Sequence, residues 1–110
     1  MNYYNEIKNE LINNEVYKKV KDYSKNRNEL ETYYNIGKLL IEAQGGEERA
    51  KYGNKLIKEY SEKLTHDLGK GYTTSTLKRM RQFYITIKKG ATMSHLLTWS
   101  HYVEIIKLIF

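Results

Sequence analysis

Apolar residues return along this chain at helical spacing, and nowhere in the sustained two-residue alternation of a strand. Between residues 15 and 44 the positions Val16, Val20, Tyr23, Arg27, Leu30, Tyr34, Gly37 and Ile41 alternate steps of four and three, and only Arg27 breaks the apolar rule. That is the seam of a coiled coil or a long bundle helix, so the pattern predicts one long helix over 14–44. Its weakest stretch is Lys25-Asn26-Arg27-Asn28, which has poor helix formers and no apolar side chain and is where an interruption would fall. Asn13 or Asn14 is placed to cap this helix, and Gly45-Gly46 to end it. Gly37 in its interior costs about 1 kcal/mol relative to Ala, which a close approach by another helix would justify. Ahead of it, residues 1–12 predict a short helix with Tyr4, Ile7 and Leu11 on one side.

The second half repeats the period. After a connector over 47–53 with room for one helical turn, Leu56, Ile57, Tyr60, Leu64 and Leu68 give the core face of a helix ending at Leu68. Gly69 and Gly71 allow the chain to reverse. Thr73 is then a good N-cap, its hydroxyl able to accept from the N–H of Ser75 or Thr76. In the helix that follows, Leu77, Met80, Tyr84 and Ile87 share one side, and Ser75, Lys78, Arg79 and Gln82 fall opposite. Residues 89–92 form a loop, and a last helix over 98–110 carries Trp99, Tyr102, Val103, Ile106 and Ile109. The fold class is therefore all-α: one domain over 1–110, a helical bundle with a long N-terminal helix, a helix-turn-helix-like unit over 53–88 and a C-terminal helix. The apolar run at Phe110 implies docking into this domain, packing on a partner, or continuation into a longer chain.

A helix-turn-helix places its second helix in the major groove of DNA. The charge distribution favours that use of residues 74–88. The formal charge of +6 is uneven: residues 1–50 hold eight Lys/Arg and nine Asp/Glu, and residues 51–110 hold eleven and four. Between Lys63 and Thr92 seven cations (Lys63, Lys70, Lys78, Arg79, Arg81, Lys88, Lys89) face one acid, Asp67. An excess concentrated in this way is what a phosphate-binding surface needs. A basic membrane-surface helix would need its apolar face free for lipid, whereas here that face is committed to a core.

Composition removes other chemistries. With no Cys there is no disulfide, thiol nucleophile or thiolate metal site. The N-terminus lacks the basic start and apolar centre of a secretory signal, and no apolar run is long enough to span a membrane. A cytoplasmic location fits. His95 and His101 are six apart and do not share a helix face, so no metal site is expected. His101 reads as a structural hydrogen-bonding residue. Ser94-His95 and Ser100-His101 lack an orienting acid, so no catalytic residue is assigned, and no cofactor or small-molecule substrate is expected.

Five segments in order, Tyr34-Asn35-Ile36-Gly37, Arg49-Ala50-Lys51-Tyr52-Gly53, Leu68-Gly69-Lys70-Gly71-Tyr72, Met80-Arg81-Gln82-Phe83-Tyr84 and Leu97-Thr98-Trp99-Ser100-His101-Tyr102, resemble the N-terminal domain of the YhcG-type family. These are bacterial and archaeal PD-(D/E)XK nuclease-like proteins, and the resemblance covers roughly residues 14–106. It implies a helical, helix-turn-helix-type module followed by a C-terminal domain of restriction-endonuclease fold, with metal-dependent DNA cleavage by the full-length protein. That chemistry needs an Asp and an Asp/Glu-x-Lys on adjacent strands. Glu6-Ile7-Lys8 has no upstream Asp and no strand pattern, so cleavage is not expected of these residues, which stop where the nuclease domain should begin.

The reading favoured is a DNA-binding module that targets or assembles a nuclease. It would contact DNA through Lys70, Thr74, Ser75, Lys78, Arg79 and Gln82. Arg81, on the rim of the apolar face, is read first as structural. Partners would be DNA, a nuclease domain or subunit, and a second copy of the chain. The alternative is a protein-interaction or dimerisation module, with the seam 16–41 and the apolar tail 105–110 as its surfaces and the basic face incidental.

Overall fold

The computed structural model describes residues 2–18, 25–50, 53–88 and 97–109. They hold six helices: α1 (Tyr3–Lys18), α2 (Lys25–Ala43), α3 (Glu47–Ala50), α4 (Lys55–Leu68), α5 (Thr74–Lys88) and α6 (Trp99–Ile109). No strand occurs among the described residues, and the fold is all-α as the periodicity implies. α2 is the central element: it packs most extensively on α5, then on α1, and also touches α3 and α6. Ile7, Leu30, Ile36, Leu40, Ile57, Leu64, Leu77 and Phe83 form the fully enclosed centre.

The long helix expected over 14–44, with its weak point at Lys25-Asn26-Arg27-Asn28, falls in two described helices. Residues 14–18 belong to α1, the next helix starts at Lys25, and α1 packs against α2. Two segments of one straight helix cannot do this, so α1 and α2 are separate elements packed side by side. Asn13 and Asn14 are accordingly inside α1 rather than at a helix start, and Asn14 is buried. The short helix expected at 1–12 is the first part of the same element, with Ile7 and Leu11 buried as its spacing requires.

The seam beyond Leu30 is used within the chain. Leu30 and Ile41 are buried, and Tyr34 meets Tyr84 of α5 edge to face at 4.9 Å. Gly37 sits where α2 and α5 touch: a Cβ built there would lie 2.8 Å from Tyr84 Cβ, 2.9 Å from the Met80 carbonyl carbon, and closer still to its oxygen. The close approach expected of Gly37 is therefore real, and its partner is α5. The side chains of Val16, Val20, Tyr23 and Arg27 lie outside the described residues.

Helix ends follow their local chemistry. Gly46 N–H reaches the Ile41 carbonyl at 2.9 Å and Gly45 N–H the Glu42 carbonyl at 3.1 Å, with Gly45 at φ +90°, a Schellman ending for α2. At the start of α6, His101 N–H donates to Thr98 Oγ1 at 3.4 Å while Thr98 N–H donates to His101 Nδ1 at 3.1 Å. This is the reciprocal capping box with an imidazole in place of the usual Glu or Gln, and it gives His101 a structural duty. α6 docks through aromatics: Trp99 packs on Tyr33 at 4.6 Å and on Phe83 at 5.3 Å, and Tyr102 on Phe83 at 4.9 Å.

Candidate nucleic-acid interface

α4, a five-residue turn and α5 form one continuous unit. Gly69 ends α4, its N–H bonded to the Thr65 carbonyl at 3.0 Å, with φ 100° and ψ −162°, a region essentially closed to residues with a Cβ. Thr73 caps α5: its Oγ1 accepts the Thr76 N–H at 3.2 Å, one of the two partners its position allows. Ser61 of α4 reaches across and donates its hydroxyl to the Tyr72 carbonyl at 2.7 Å, while Tyr72 packs against the core. The turn is thus fixed from both helices, and Lys70 is held exposed at its tip. Nothing in the sequence marked Ser61, because its partner is eleven residues away and the bond depends on the turn having formed.

On α5, Leu77, Met80 and Tyr84 are buried as their spacing requires, and Ile87 is half-buried. Phe83 and Arg81 are buried as well, one on each flank, so the enclosed arc is wider than the period alone implied. Of the opposite face, Ser75 is exposed, and Thr74, Lys78, Arg79 and Gln82 are partly exposed. No ion pair ties Lys78, Arg79 or Lys70 to an acid among the described residues.

The other cations of the basic segment are occupied. Lys63 pairs with Glu59 at 3.2 Å, and Lys88 pairs with Glu47 at 3.4 Å. Arg81 is 9% exposed and donates from Nη1 to Gln44 Oε1 at 2.8 Å, while the same amide's Nε2 donates to the Gly53 carbonyl. Burial lowers its pKa, but a guanidinium stays charged. Arg81 therefore ties α5 to the end of α2 and to the approach to α4, the structural role its rim position suggested. Lys89 lies outside the described residues. Among the described residues the basic segment narrows to Lys70, Lys78 and Arg79, with hydroxyls and an amide between them.

Asp67, the acid of that segment, is clasped at the end of α4. Tyr4 Oη donates to Asp67 Oδ2 at 2.5 Å, Lys8 Nζ approaches the same oxygen at 3.3 Å, and His66 Nδ1 lies 3.1 Å from Oδ1. These contacts, the Tyr4 hydroxyl foremost, hold the Asp67 carboxyl well below the usual carboxylate range. Burial, then Asp67, pushes the Tyr4 hydroxyl up to about 12. A depressed carboxylate contributes stability that is complete above its unfolded pKa and fades as pH falls through the lower folded value. A raised phenol contributes below its own unfolded pKa and fades as pH rises through the higher one. The clasp should thus hold from about pH 4 to about pH 10. Tyr4→Phe should lower the thermal midpoint at pH 7, and the gap from the parent should narrow below about pH 4. A gap that widened in acid would contradict this assignment.

Among the described residues no group of three or more His, Cys, Asp or Glu side chains is gathered as a metal site would require. No described helix is long and apolar enough to cross a membrane.

The family described as the DUF1016 N-terminal domain matches residues 6–109. The protein named "Putative nuclease YhcG" of Escherichia coli (strain K12) is 44% identical over 55 residues, a stretch that is 49% of this chain and 15% of that protein. The match thus spans a small part of the relative's length. No solved structure matches the chain.

Proposed function

Because the chain belongs to the DUF1016 N-terminal domain family, we propose that it is a non-catalytic DNA-binding module serving a nuclease. α4 and α5 act as a helix-turn-helix, with α5 as the helix presented to the duplex. Lys70 at the turn and Lys78 and Arg79 on α5 meet phosphates, and Thr74, Ser75 and Gln82 supply shorter polar contacts to backbone or base edges. The observation that carries this reading is the state of the cations. Neighbouring Arg81 is buried and bonded to Gln44, and Lys63 and Lys88 form surface pairs with Glu59 and Glu47, while Lys70, Lys78 and Arg79 form no ion pair with a described acid. The similarity to a protein named "Putative nuclease YhcG" supports a nucleic acid as the polyanion and a nuclease domain or subunit as the associate.

Fluorescence anisotropy with labelled duplex, single-stranded and branched DNA tests this. These three phosphate contacts alone predict a log–log salt slope at least as steep as about −2.7, so affinity should drop by roughly 40-fold or more for about a four-fold rise in salt. Absence of binding at low salt would refute the proposal.

A second reading, as a protein-interaction module, has one feature behind it. A groove of about 470 Å³ between α1 and α2 is lined by Glu6, Asn9, Glu10, Lys38 and Glu42 among others, and Glu6 Oε2 is enclosed there without a hydrogen bond. It suits a basic segment of a partner. The seam proposed for dimerisation is less available, since Leu30, Gly37 and Ile41 are buried within the chain. Sedimentation of the chain alone and mixed with a candidate nuclease partner separates the two readings.

A further inference from the structure

Lys8 lies in the half of the sequence that carries no cationic excess, yet the fold brings it to the base of the basic turn. Its Nζ is 3.3 Å from Asp67 Oδ2, and Asp67 is three residues before Lys70. Neighbouring contacts fix this position. Tyr4, one turn earlier on α1, donates to the same carboxylate at 2.5 Å and packs edge to face on Tyr60 of α4 at 5.6 Å. Lys63 of α4 closes over the Tyr4 ring at 5.4 Å. α1 is therefore fastened to the last turns of α4, on the side where the chain leaves for the turn.

Resting on the DNA reading above, we infer that α1 belongs to the same interface and that Lys8 is a fourth phosphate contact. An ammonium has three donors. One is directed to Asp67, and the side chain keeps 33% of its surface exposed, which leaves donors for a phosphate oxygen. Asp67 holds the flexible lysine stem in place before DNA arrives, so less side-chain freedom is lost on binding. The carboxylate would otherwise repel a phosphate near Lys70. The Tyr4 hydroxyl and Lys8 donate to it and His66 Nδ1 lies against its other oxygen, and this group of contacts makes the end of α4 compatible with a polyanion. The footprint then runs from α1 across the turn to α5, rather than along α5 alone.

The test is the same anisotropy titration across salt, with a duplex and five chains: parent, Lys8→Ala, Lys8→Arg, Lys8→Ala with Asp67→Asn, and Lys78→Ala with Arg79→Ala. Lys8→Ala should weaken binding roughly five- to ten-fold at about 0.1 M salt and reduce the salt slope by about one, and Lys8→Arg should keep both. The Lys8→Ala, Asp67→Asn pair removes both charges. If the lysine contacts phosphate, binding stays weak in that chain. Full recovery there would mean that Lys8 only masks Asp67, and would overturn the inference. So would parent-like binding by Lys8→Ala while the α5 pair loses affinity, a result that leaves the DNA reading standing. Absence of duplex binding by the parent at low salt would instead sink the DNA reading itself, and undiminished binding by the α5 pair would overturn a footprint shared between α1 and α5. Matching helical circular-dichroism melts among the variants keep these outcomes separate from unfolding.

Discussion

Gly37→Ala should destabilise the fold by about 2 kcal/mol or more, although the same exchange in an open helix interior gains about 1 kcal/mol. The sign reverses because of what the new methyl group meets. It would lie 2.8 Å from Tyr84 Cβ and 2.9 Å from the Met80 carbonyl carbon, and it would overlap the Met80 carbonyl oxygen. None of these is the free end of a side chain that can swing away, so α2 and α5 must separate. This is the most extensive helix pair in the molecule, and loosening it spreads to Tyr34, Ile41 and Tyr84. Valine, with two further methyl groups at the same contact, should do worse. Urea unfolding reads the effect as a lower midpoint at an unchanged slope. An alanine variant as stable as the parent would mean that the helices do not meet here.

Phe83→Ala should cost about 3–5 kcal/mol, the range for emptying an enclosed aromatic site. Phe83 has no solvent exposure, and its ring meets both Trp99 and Tyr102 edge to face. α6 is attached largely through these rings and through the Tyr33–Trp99 contact. The loss should therefore be felt first by α6. Trp99 is the single tryptophan of the chain, so its emission reports the event directly. A red shift at low denaturant, before the helical signal falls, is the expected result. Emission and circular dichroism that change together, at the midpoint of the parent, would contradict it.

The parts of this molecule legible in the sequence are those fixed by neighbours a few residues apart. Gly69, Gly71 and Thr73 announce the turn and the start of α5 because strained backbone and capping are local requirements. The same locality makes the end of α2 at Gly45-Gly46 readable. The break between α1 and α2 was not readable in this way. The four-and-three spacing of the sequence runs on from Val16 to Leu30 without marking where α1 ends and α2 begins. Lys25-Asn26-Arg27-Asn28, flagged as the weak point, coincides with the start of α2. Gly37 signalled a close approach, but periodicity could not say whether the partner was α5 or a second copy.

For the candidate interface the sequence named a face, and the structure sorted the cations on it. Arg81, Lys63 and Lys88 read as part of one basic excess until their partners Gln44, Glu59 and Glu47 are seen. Gln44 and Glu47 come from far along the chain, beyond the reach of any spacing rule. Lys8 was hidden for the same reason, since 59 residues separate it from Asp67.

The measurement that tests the central claim most directly is duplex-DNA affinity of the Lys78→Ala, Arg79→Ala chain against the parent across a salt series. The account predicts weaker binding, a salt slope smaller by about two, and an unchanged helical melt. Equal affinity and equal slope in a folded variant would contradict it and remove α5 from any contact with DNA.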